Sequence, residues 1–247
     1  MKILAVSDET NSALESLVVR SPEKLKDVNL ILACGDLDRD YIEFLVDGLD
    51  KEFFFVSGNH EPDPETTDGD FSGFELLDRI WDTIKTSAEK IIRGIAGQDD
   101  LHGRVSAYRD YLVVGFGGSR WYNGRGNQFR ESEMAGVVRK VITKIRLYRI
   151  HDKLLGKKRK EVIVISHASP FGIHDLPDPC HTGFKCFHKF IKKISPLLWV
   201  HGHIHLQNIR QQQVTLSGTT TIVNCYGYKF INIERKRIEV SYKYDAF

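Results

Sequence analysis

The stretch KILAVSDET, from Lys2 to Thr10, leads from an apolar run directly into two adjacent carboxylates. Two similar runs follow, NLILACG and EFFFVSG, and they end at Gly35 and Gly58. Short apolar runs bounded by glycine are typical of strands that are covered on both faces. Helical patterns at 11–19 and 41–49 separate the three runs, so this half of the chain predicts parallel βαβ units and an α/β fold.

The second half of the chain continues the mixture of predicted strands and helices. The apolar runs YLVVGFG, VIVIS and PLLWVHGHIH predict three more strands, and helical patterns cover residues 131–155 and 184–194. Near the end of the chain, TTTIVN and FINIERKRIEVSYKY alternate apolar with polar residues and predict antiparallel strands. The acidic, proline-rich segment at 61–70 predicts a loop. No linker composition divides the chain, so we predict one domain over residues 1–247.

The composition is that of an ordinary globular protein and argues against two classes of partner. The 247 residues are 41% hydrophobic and 28% charged, with a net charge of +2, which argues against an extended nucleic-acid surface. No apolar run reaches membrane-spanning length, and the run before Asp8 is too short for a signal peptide. The four cysteines have no CxxC spacing, so we expect reduced thiols and a cytoplasmic protein.

Candidate metal ligands follow the predicted strands, at the point where each one ends. In α/β sheets, ligands bind beyond the carboxyl ends of the strands, so these side chains are expected to meet at one edge. Five segments each deliver a carboxylate, an amide or an imidazole: Asp8, Gly35-Asp36, Gly58-Asn59-His60-Glu61, Ser166-His167 and Gly202-His203-Ile204-His205.

Each of these motifs alone is a weak signal. A Gly-Asp pair is common in turns, and a single buried histidine is usually a hydrogen-bonded core residue. The GHIH motif is stronger, because two imidazoles separated by one residue lie on the same side of an extended strand and each can bind a metal. Five such motifs at successive strand ends are very improbable by chance, and together they predict a metal site.

The order of the motifs resembles the pattern of the calcineurin-like metallophosphoesterases, in particular their small stand-alone prokaryotic members. That pattern reads Asp-x-His, Gly-Asp, Gly-Asn-His-(Asp/Glu), a histidine and Gly-His-x-His, and its counterparts here run from Asp8 to His205. The resemblance implies an α/β fold of two facing mixed β-sheets flanked by helices, a four-layer αββα sandwich. It also implies two divalent metal ions, Mn, Fe or Zn, at one edge of the sheets.

Carried over by position, the resemblance implies six ligands for these two ions: Asp8 and His205 for the first, Asp36 bridging both, and Asn59, His167 and His203 for the second. His60 would lie beside the metals, near the leaving group. Two cations about 3.5–4 Å apart neutralise a phosphate ester and lower the pKa of water to about 7, so that hydroxide can attack. A protonated His60 could then donate to the departing alkoxide.

Thr10 departs from the family pattern, which has a metal-binding histidine at this position. If the strand continues through Thr10, Glu9 points away from the side shared by Asp8 and Thr10 and does not replace that ligand. We therefore predict that the first metal has only Asp8, Asp36, His205 and water as ligands, and that it binds more weakly than the second.

Several other polar residues are candidates for the same site. Asp40, or equally Asp38, could orient the leaving-group histidine. Arg120 in the loop GGSRWYNGRG could contact a substrate phosphate, although an exposed loop arginine is the simpler interpretation. His174 and His181 follow the predicted strand VIVIS, and they could reach the substrate or merely cap their loops.

The sequence thus predicts a metal-dependent phosphoesterase that hydrolyses a small phosphomonoester or phosphodiester, with no membrane or nucleic-acid partner. The loops at 61–75 and 117–130 are expected to shape its substrate pocket. Thr10 motivates a second hypothesis, a binding scaffold of the same fold that has lost catalysis, as in the retromer scaffold subunit, although the other ligand positions are intact. A third hypothesis is a nuclease, and the near-neutral charge argues against it.

Overall fold

The computed structural model describes residues 1–60, 100–124, 126–206 and 213–241. The predicted loop at 61–70 lies outside the described residues, and so does the end of the predicted last strand.

The described residues form thirteen strands and four α-helices. The strands are β1 (Lys2–Ser7), β2 (Val28–Ala33), β3 (Glu52–Phe55), β4 (Val105–Tyr108), β5 (Tyr111–Phe116), β6 (Ser119–Arg120), β7 (Gln128–Phe129), β8 (Glu161–Ser166), β9 (Leu198–His201), β10 (Val214–Ser217), β11 (Thr220–Asn224), β12 (Gly227–Glu234) and β13 (Arg237–Ser241). The helices are α1 (Ser12–Arg20), α2 (Arg39–Leu49), α3 (Glu131–Leu154) and α4 (Cys186–Ile194).

The predicted helices are all present, with bounds within two residues of those expected from the sequence. The start of α1 has a clear local cause, because the side-chain oxygen of Asn11 accepts the backbone N–H groups of Ala13 and Leu14 at 3.1 and 3.2 Å. Asparagine is a favoured N-cap for this reason. Among the helices of the described residues, none combines the length and the hydropathy needed to cross a lipid bilayer.

The first sheet is mixed and has the strand order β13-β12-β1-β2-β3. β1, β2 and β3 are parallel, which confirms the predicted βαβ units. β12 pairs antiparallel with β1, and β13 pairs antiparallel with β12. The described part of the run FINIERKRIEVSYKY, which ends at Ser241, is therefore a hairpin rather than one strand, because Arg235 and Lys236 turn the chain with φ angles of 46° and 73°.

The second sheet has the strand order β10-β11-β9-β8-β5-β4. Its central strands β11, β9, β8 and β5 are parallel to one another, and the edge strands β10 and β4 are antiparallel to their neighbours. The predicted strand TTTIVN forms β11, which is antiparallel to β10 but parallel to β9. The predicted antiparallel pairing of this strand is thus correct on one side only.

Three apolar clusters define how the sheets and helices stack. Ile3 and Ala5 of β1 lie in a cluster between the two sheets, whereas Leu4 and Val6 pack in a second cluster with residues of α1 and α2. A third cluster joins the outer face of the second sheet to α3 and α4. The layers are therefore helices, sheet, sheet and helices, which confirms the predicted αββα sandwich. Burial on both faces explains why the strand sequences are continuously apolar.

Trp199 packs the second sheet against α4 close to the candidate site. Its side chain is fully buried, and its ring centroid lies 4.9 Å from that of Phe187 and 5.8 Å from that of Phe190. The indole N–H donates to Ser166 Oγ over 2.8 Å. This bond ties the end of β8 to β9, the two strands that lead into the candidate histidine ligands.

Candidate metal centre

Five strands end at the edge of the sandwich where the two sheets meet. Asp8, Asp36 and Asn59 follow the parallel strands β1, β2 and β3, whereas His167 and His203 follow β8 and β9. The fold brings these strand ends into contact across the sheets: Asp8 accepts the backbone N–H of His203, and His167 contacts Asn59.

Three of these residues have a strained backbone conformation. Asp8, Asp36 and His203 have φ angles of 64°, 53° and 67°, and the left-handed region costs a residue with a side chain about 1–2 kcal/mol. Strain of this kind is concentrated at functional sites, where the surrounding structure maintains it. Here it turns the chain sharply just after β1, β2 and β9, so that the side chains meet at the edge.

The imidazole of His167 gives the clearest indication of a cation site. Its Nδ1 lies 2.8 Å from the carbonyl oxygen of Cys34, so Nδ1 carries a proton and donates it. In a neutral ring, Nε2 then has only a lone pair. Nε2 nevertheless lies 2.8 Å from Asn59 Oδ1 and 3.2 Å from Asp36 Oδ2. Three electron-pair donors thus face one another, and their arrangement favours a positive charge between them.

In the absence of a metal ion, a second proton on His167 supplies this charge. Burial of the ring opposes protonation, but the hydrogen bond and the negative charge of Asp36 outweigh burial and raise the pKa of His167 to about 9. Burial likewise opposes the ionisation of Asp36, but His167 outweighs it and lowers the pKa of Asp36 to about 2. A divalent cation can take the place of that proton, because metal ions bind the deprotonated forms of their ligands.

His203 adds a further donor to this group. Its Nε2 lies 2.9 Å from the carbonyl oxygen of Cys180, and burial together with the charge of His167 lowers the pKa of His203 to about 4. The ring is therefore neutral near neutral pH and retains a lone pair. One donor atom from each of Asp36, His167 and His203 lies within 4.8 Å of the others. Carboxylate, amide and imidazole donors together fit Mn, Fe or Zn.

Asp8 and His205 form a more open pair beside this group. The Asp8 side chain is 0% exposed, and its two oxygens accept the backbone N–H of His203 at 3.0 and 2.9 Å. His205 Nε2 lies 3.7 Å from Asp8 Oδ1, and 62% of the His205 side chain is exposed. The neighbouring carboxylate of Asp8 raises the pKa of His205. Within the described ranges, no third histidine, cysteine or carboxylate completes a compact group with this pair.

The GHIH motif is not part of an extended strand, and the prediction that its histidines share a strand face is wrong. β9 ends at His201, and the buried His203 is followed by an exposed His205. The chain turns at His203, whose φ angle is 67°, and a Cβ atom at Gly202 would lie 2.5 Å from Ser7 Oγ and 2.6 Å from Asp8 Oδ2. The segment therefore passes directly against the end of β1 and turns there.

The geometry assumed for Glu9 also differs, because β1 ends at Ser7 and the side chains no longer alternate beyond it. Burial and a hydrogen bond with the Glu9 carboxylate raise the pKa of the Tyr226 hydroxyl. The Tyr226 ring lies 4.9 Å from the His205 ring. The Glu9 carboxylate therefore bonds a residue whose ring contacts His205, and Thr10 is exposed.

The structure places His60 beside Asp36. The two carboxylates predicted to orient His60, those of Asp38 and Asp40, do not bond with it in the described part of the chain. The backbone N–H of His60 donates to Asp36 Oδ1 over 2.9 Å, and its side chain is exposed. Asp38 is the N-cap residue of α2, and Asp40 lies in the first turn, both exposed. Among the described residues, no hydrogen bond or ion pair joins either carboxylate to His60, so the role of Asp40 stays a prediction.

The predicted substrate residues Arg120 and His174 both have protein partners. Arg120 lies in β6, and its Nη1 is 4.0 Å from a carboxylate oxygen of Glu131. His174 uses both ring nitrogens, with Nδ1 2.9 Å from His201 Nε2 and Nε2 2.8 Å from Thr215 Oγ1. Burial lowers the pKa of His174 to about 4. Their contact with a substrate stays a prediction.

His181 lies nearer to the site, in a loop that covers His203. Its ring centroid is 5.1 Å from that of His203. Two neighbours were missed by the sequence reasoning: Cys180, whose carbonyl holds His203, and Tyr122, whose hydroxyl accepts a bond from Asn59 Nδ2 at 3.3 Å. Neither residue has a sequence signal, since one acts through its backbone and the other comes from a remote loop.

Comparison with known proteins agrees with the fold. The family model for calcineurin-like phosphoesterases matches residues 1–207. The crystal structure of TT1561 of Thermus thermophilus is similar, with 16% identity, a TM-score of 0.58 and coverage of 97% of each chain. A dimetal phosphatase from Danio rerio has 11% identity and a TM-score of 0.51, with coverage of 98% of this chain and 95% of that chain.

GAP50, the anchor in the inner membrane complex of Plasmodium, has 9% identity and a TM-score of 0.54, with coverage of 97% of this chain and 83% of that chain. No curated protein sequence matches this chain. At these identities the likeness to solved structures concerns the fold alone.

Proposed function

Because this chain belongs to the calcineurin-like phosphoesterase family, whose model matches residues 1–207, we propose that it is a metal-dependent phosphoesterase acting on a small phosphomonoester or phosphodiester. The proposal is carried by the contacts of His167 Nε2, which lies 2.8 Å from Asn59 Oδ1 and 3.2 Å from Asp36 Oδ2. The lone pairs of these three atoms face one another. Oxygen and nitrogen donors in this arrangement suit a divalent cation such as Mn, Fe or Zn.

We define the paired-metal centre as six side chains: Asp8 and His205 for the first ion, Asn59, His167 and His203 for the second, and Asp36 between them. When bound, the two cations supply charge neutralisation for the phosphate ester and a water of lowered pKa as the nucleophile. The protein holds the ligands in place, since the carbonyls of Cys34 and Cys180 fix the tautomers of His167 and His203. Loss of a hydrogen bond that orients a metal ligand in this way typically lowers metal affinity about 10–100-fold.

We assign to His60 the protonation of the leaving group. Its exposed ring follows a backbone N–H that is fixed on Asp36 Oδ1, so the imidazole adjoins the centre without a role as a ligand. Imidazole titrates near neutral pH, which suits an acid that must donate a proton and regain it in each cycle.

The substitution His60→Ala is expected to lower the rate most for substrates with a poor leaving group. We expect a loss of about 10²-fold in kcat with phenyl phosphate and less than about tenfold with p-nitrophenyl phosphate, because p-nitrophenolate departs without a proton. Phosphate release and nitrophenolate absorbance measure the two rates, with Mn²⁺, Fe²⁺ and Zn²⁺ each tested at the concentration that gives the highest wild-type rate.

The matched control is His151→Ala, an exposed histidine near the end of α3, which should retain both rates. Equal losses on the two substrates would contradict the acid role of His60. Absence of hydrolysis of mono- and diesters by the wild type with all three ions would overturn the proposed function.

The first metal ion is expected to bind more weakly than the second, because Thr10 replaces a histidine ligand of the family pattern. The substitution Thr10→His should strengthen the weaker site by at least about tenfold, since a direct ligand is worth no less than an outer contact. Calorimetric titration of the metal-free protein with Mn²⁺ measures both affinities.

Two variants make this titration specific. Thr10→Ser should leave the weak site unchanged, and Glu9→Gln tests whether the carboxylate bound to Tyr226 supplies the missing ligand. Two equal, tight sites in the wild type would disprove the weak-site prediction. If Glu9→Gln then weakened one of the two sites, Glu9 would be identified as the substitute ligand.

A binding scaffold with the same fold is the second candidate function. It is favoured by the exposed His205 and by Thr10, which stands where the family pattern has a metal-binding histidine. A scaffold would bind metal ions at His167 without turning over any ester. Stoichiometric metal binding combined with complete inactivity of the wild type would select this function over the phosphoesterase.

A further inference from the structure

We propose that Cys180, His181 and His203 form a separate cation site, selective for thiophilic ions such as Zn²⁺, at the border of the paired-metal centre. One donor atom from each of the three side chains lies within 4.8 Å of the others. Sulfur and imidazole nitrogen are the donors that zinc prefers, whereas Mn²⁺ and Mg²⁺ prefer oxygen. Three protein ligands leave a fourth tetrahedral position open to water.

The loop that carries Cys180 and His181 is organised around one carboxylate. Asp178 Oδ1 accepts the backbone N–H groups of both residues at 3.1 Å. The same carboxylate lies 2.9 and 3.0 Å from Nδ1 of His181, so Nδ1 carries the proton and Nε2 presents its lone pair. A carboxylate behind an imidazole in this way orients the ring and increases its basicity as a metal ligand.

The thiol of Cys180 is accessible, unlike the other three thiols of the chain. Cys34, Cys186 and Cys225 are buried, whereas Cys180 is half-buried. Tyr122 packs against Cys180, and its hydroxyl accepts a hydrogen bond from Asn59 Nδ2 over 3.3 Å. The proposed site therefore borders the paired-metal centre directly.

His203 belongs to both groups, since its donor atoms also lie within 4.8 Å of those of Asp36 and His167. A neutral imidazole carries one lone pair, so it serves one cation at a time. An ion held by Cys180 and His181 thus withdraws His203 from the paired-metal centre. The inhibition of hydrolysis that follows rests on the proposed function, whereas the binding of the ion does not.

Cobalt(II) tests the binding directly, because a thiolate ligand gives Co²⁺ an intense charge-transfer absorption in the near ultraviolet. We expect metal-free wild-type protein titrated with Co²⁺ to develop this band, with one thiolate per chain. Cys180→Ser should abolish the band, and Cys186→Ser, which alters a buried thiol on α4, should retain it. A wild-type protein without the band, or a band that survives in Cys180→Ser, would overturn the proposal.

A second pair of variants separates coordination from local folding. His181→Ala removes a ligand, and Asp178→Asn removes its support, while both keep the thiol. Each should raise the Co²⁺ concentration at half-saturation of the band by about 10–100-fold. An unchanged titration in both variants would contradict the assignment of His181.

The consequence for turnover is measured as the Zn²⁺ concentration that halves the Mn²⁺-dependent hydrolysis of each variant relative to its own rate. Cys180→Ser should raise this concentration at least about tenfold. A wild type that shows the cobalt band but hydrolyses no ester would refute the proposed function and leave this site standing. A wild type that hydrolyses esters but lacks the band would refute this site and leave the proposed function standing.

Discussion

The substitution Asp36→Asn is expected to lower Mn²⁺-dependent kcat/KM at least about 10³-fold. Among the described residues, Asp36 is the one carboxylate that contacts both His167, at 3.2 Å, and the backbone N–H of His60, at 2.9 Å. Replacing it with the neutral amide removes a negative charge from a group that has to bind divalent cations. Charge stabilisation by such cations is worth several kcal/mol in the transition state, and each 1.36 kcal/mol is about a tenfold change in rate.

The control is Asp47→Asn, an exposed carboxylate on α2, which should keep the wild-type rate. Metal content by elemental analysis should fall together with the rate in Asp36→Asn, because the same side chain is proposed to hold both ions. A variant that retains full metal content and more than a tenth of the wild-type kcat/KM would show that Asp36 is not a ligand.

The parallel pairing of the first three strands could be predicted from their sequence pattern. Apolar runs that end at Gly35 and Gly58 indicate strands covered on both faces, and the helical patterns between them predict crossovers that supply this cover. The four-layer sandwich itself came from the family resemblance. Strands such as β4, β6, β7 and β10 escaped notice because they are short or partly exposed.

The site was harder to predict in its details, since these depend on backbone turns and remote loops. The GHIH segment reads as a continuation of β9, yet the chain turns at His203, whose φ angle is 67°. The alternation argument for Glu9 failed for the same reason, because Asp8 turns the chain after β1. The carbonyl of Cys180 and the carboxylate of Asp178 act through tertiary contacts that leave no pattern in the sequence.

The extent of the domain stays a prediction. The family model ends at residue 207, whereas β12 lies between β1 and β13 in the first sheet. The pairing of β12 with β1 along its length supports one domain that continues beyond the matched region.

The substitution Gly35→Ala is expected to destabilise the metal-free protein by about 3 kcal/mol. A Cβ atom at this position would lie 2.6 Å from His167 Nδ1 and 2.7 Å from both Cα and N of Gly58. The two glycine backbones cannot separate without moving β2 from β3, and overpacking of this kind costs about 1–3 kcal/mol. The φ angle of 93° adds backbone strain of about 1–2 kcal/mol.

Gly156→Ala isolates the contribution of backbone strain, because Gly156 has a φ angle of 66° and a Cβ atom there would meet no other atom within 4 Å. We expect this control to lose about 1 kcal/mol, since only the left-handed conformation is penalised there. For a chain of this size, 1 kcal/mol corresponds to roughly 2–4 °C in Tm, so Gly35→Ala should melt roughly 6–12 °C below the wild type. Thermal and urea unfolding, followed by circular dichroism, measure the stability of both variants. Equal losses of stability in the two would show that the contact between Gly35 and Gly58 is not tight.

Gly35→Ala should also weaken Mn²⁺ binding, because His167 Nδ1 is the atom nearest to the added Cβ. Gly156→Ala should leave Mn²⁺ binding unchanged.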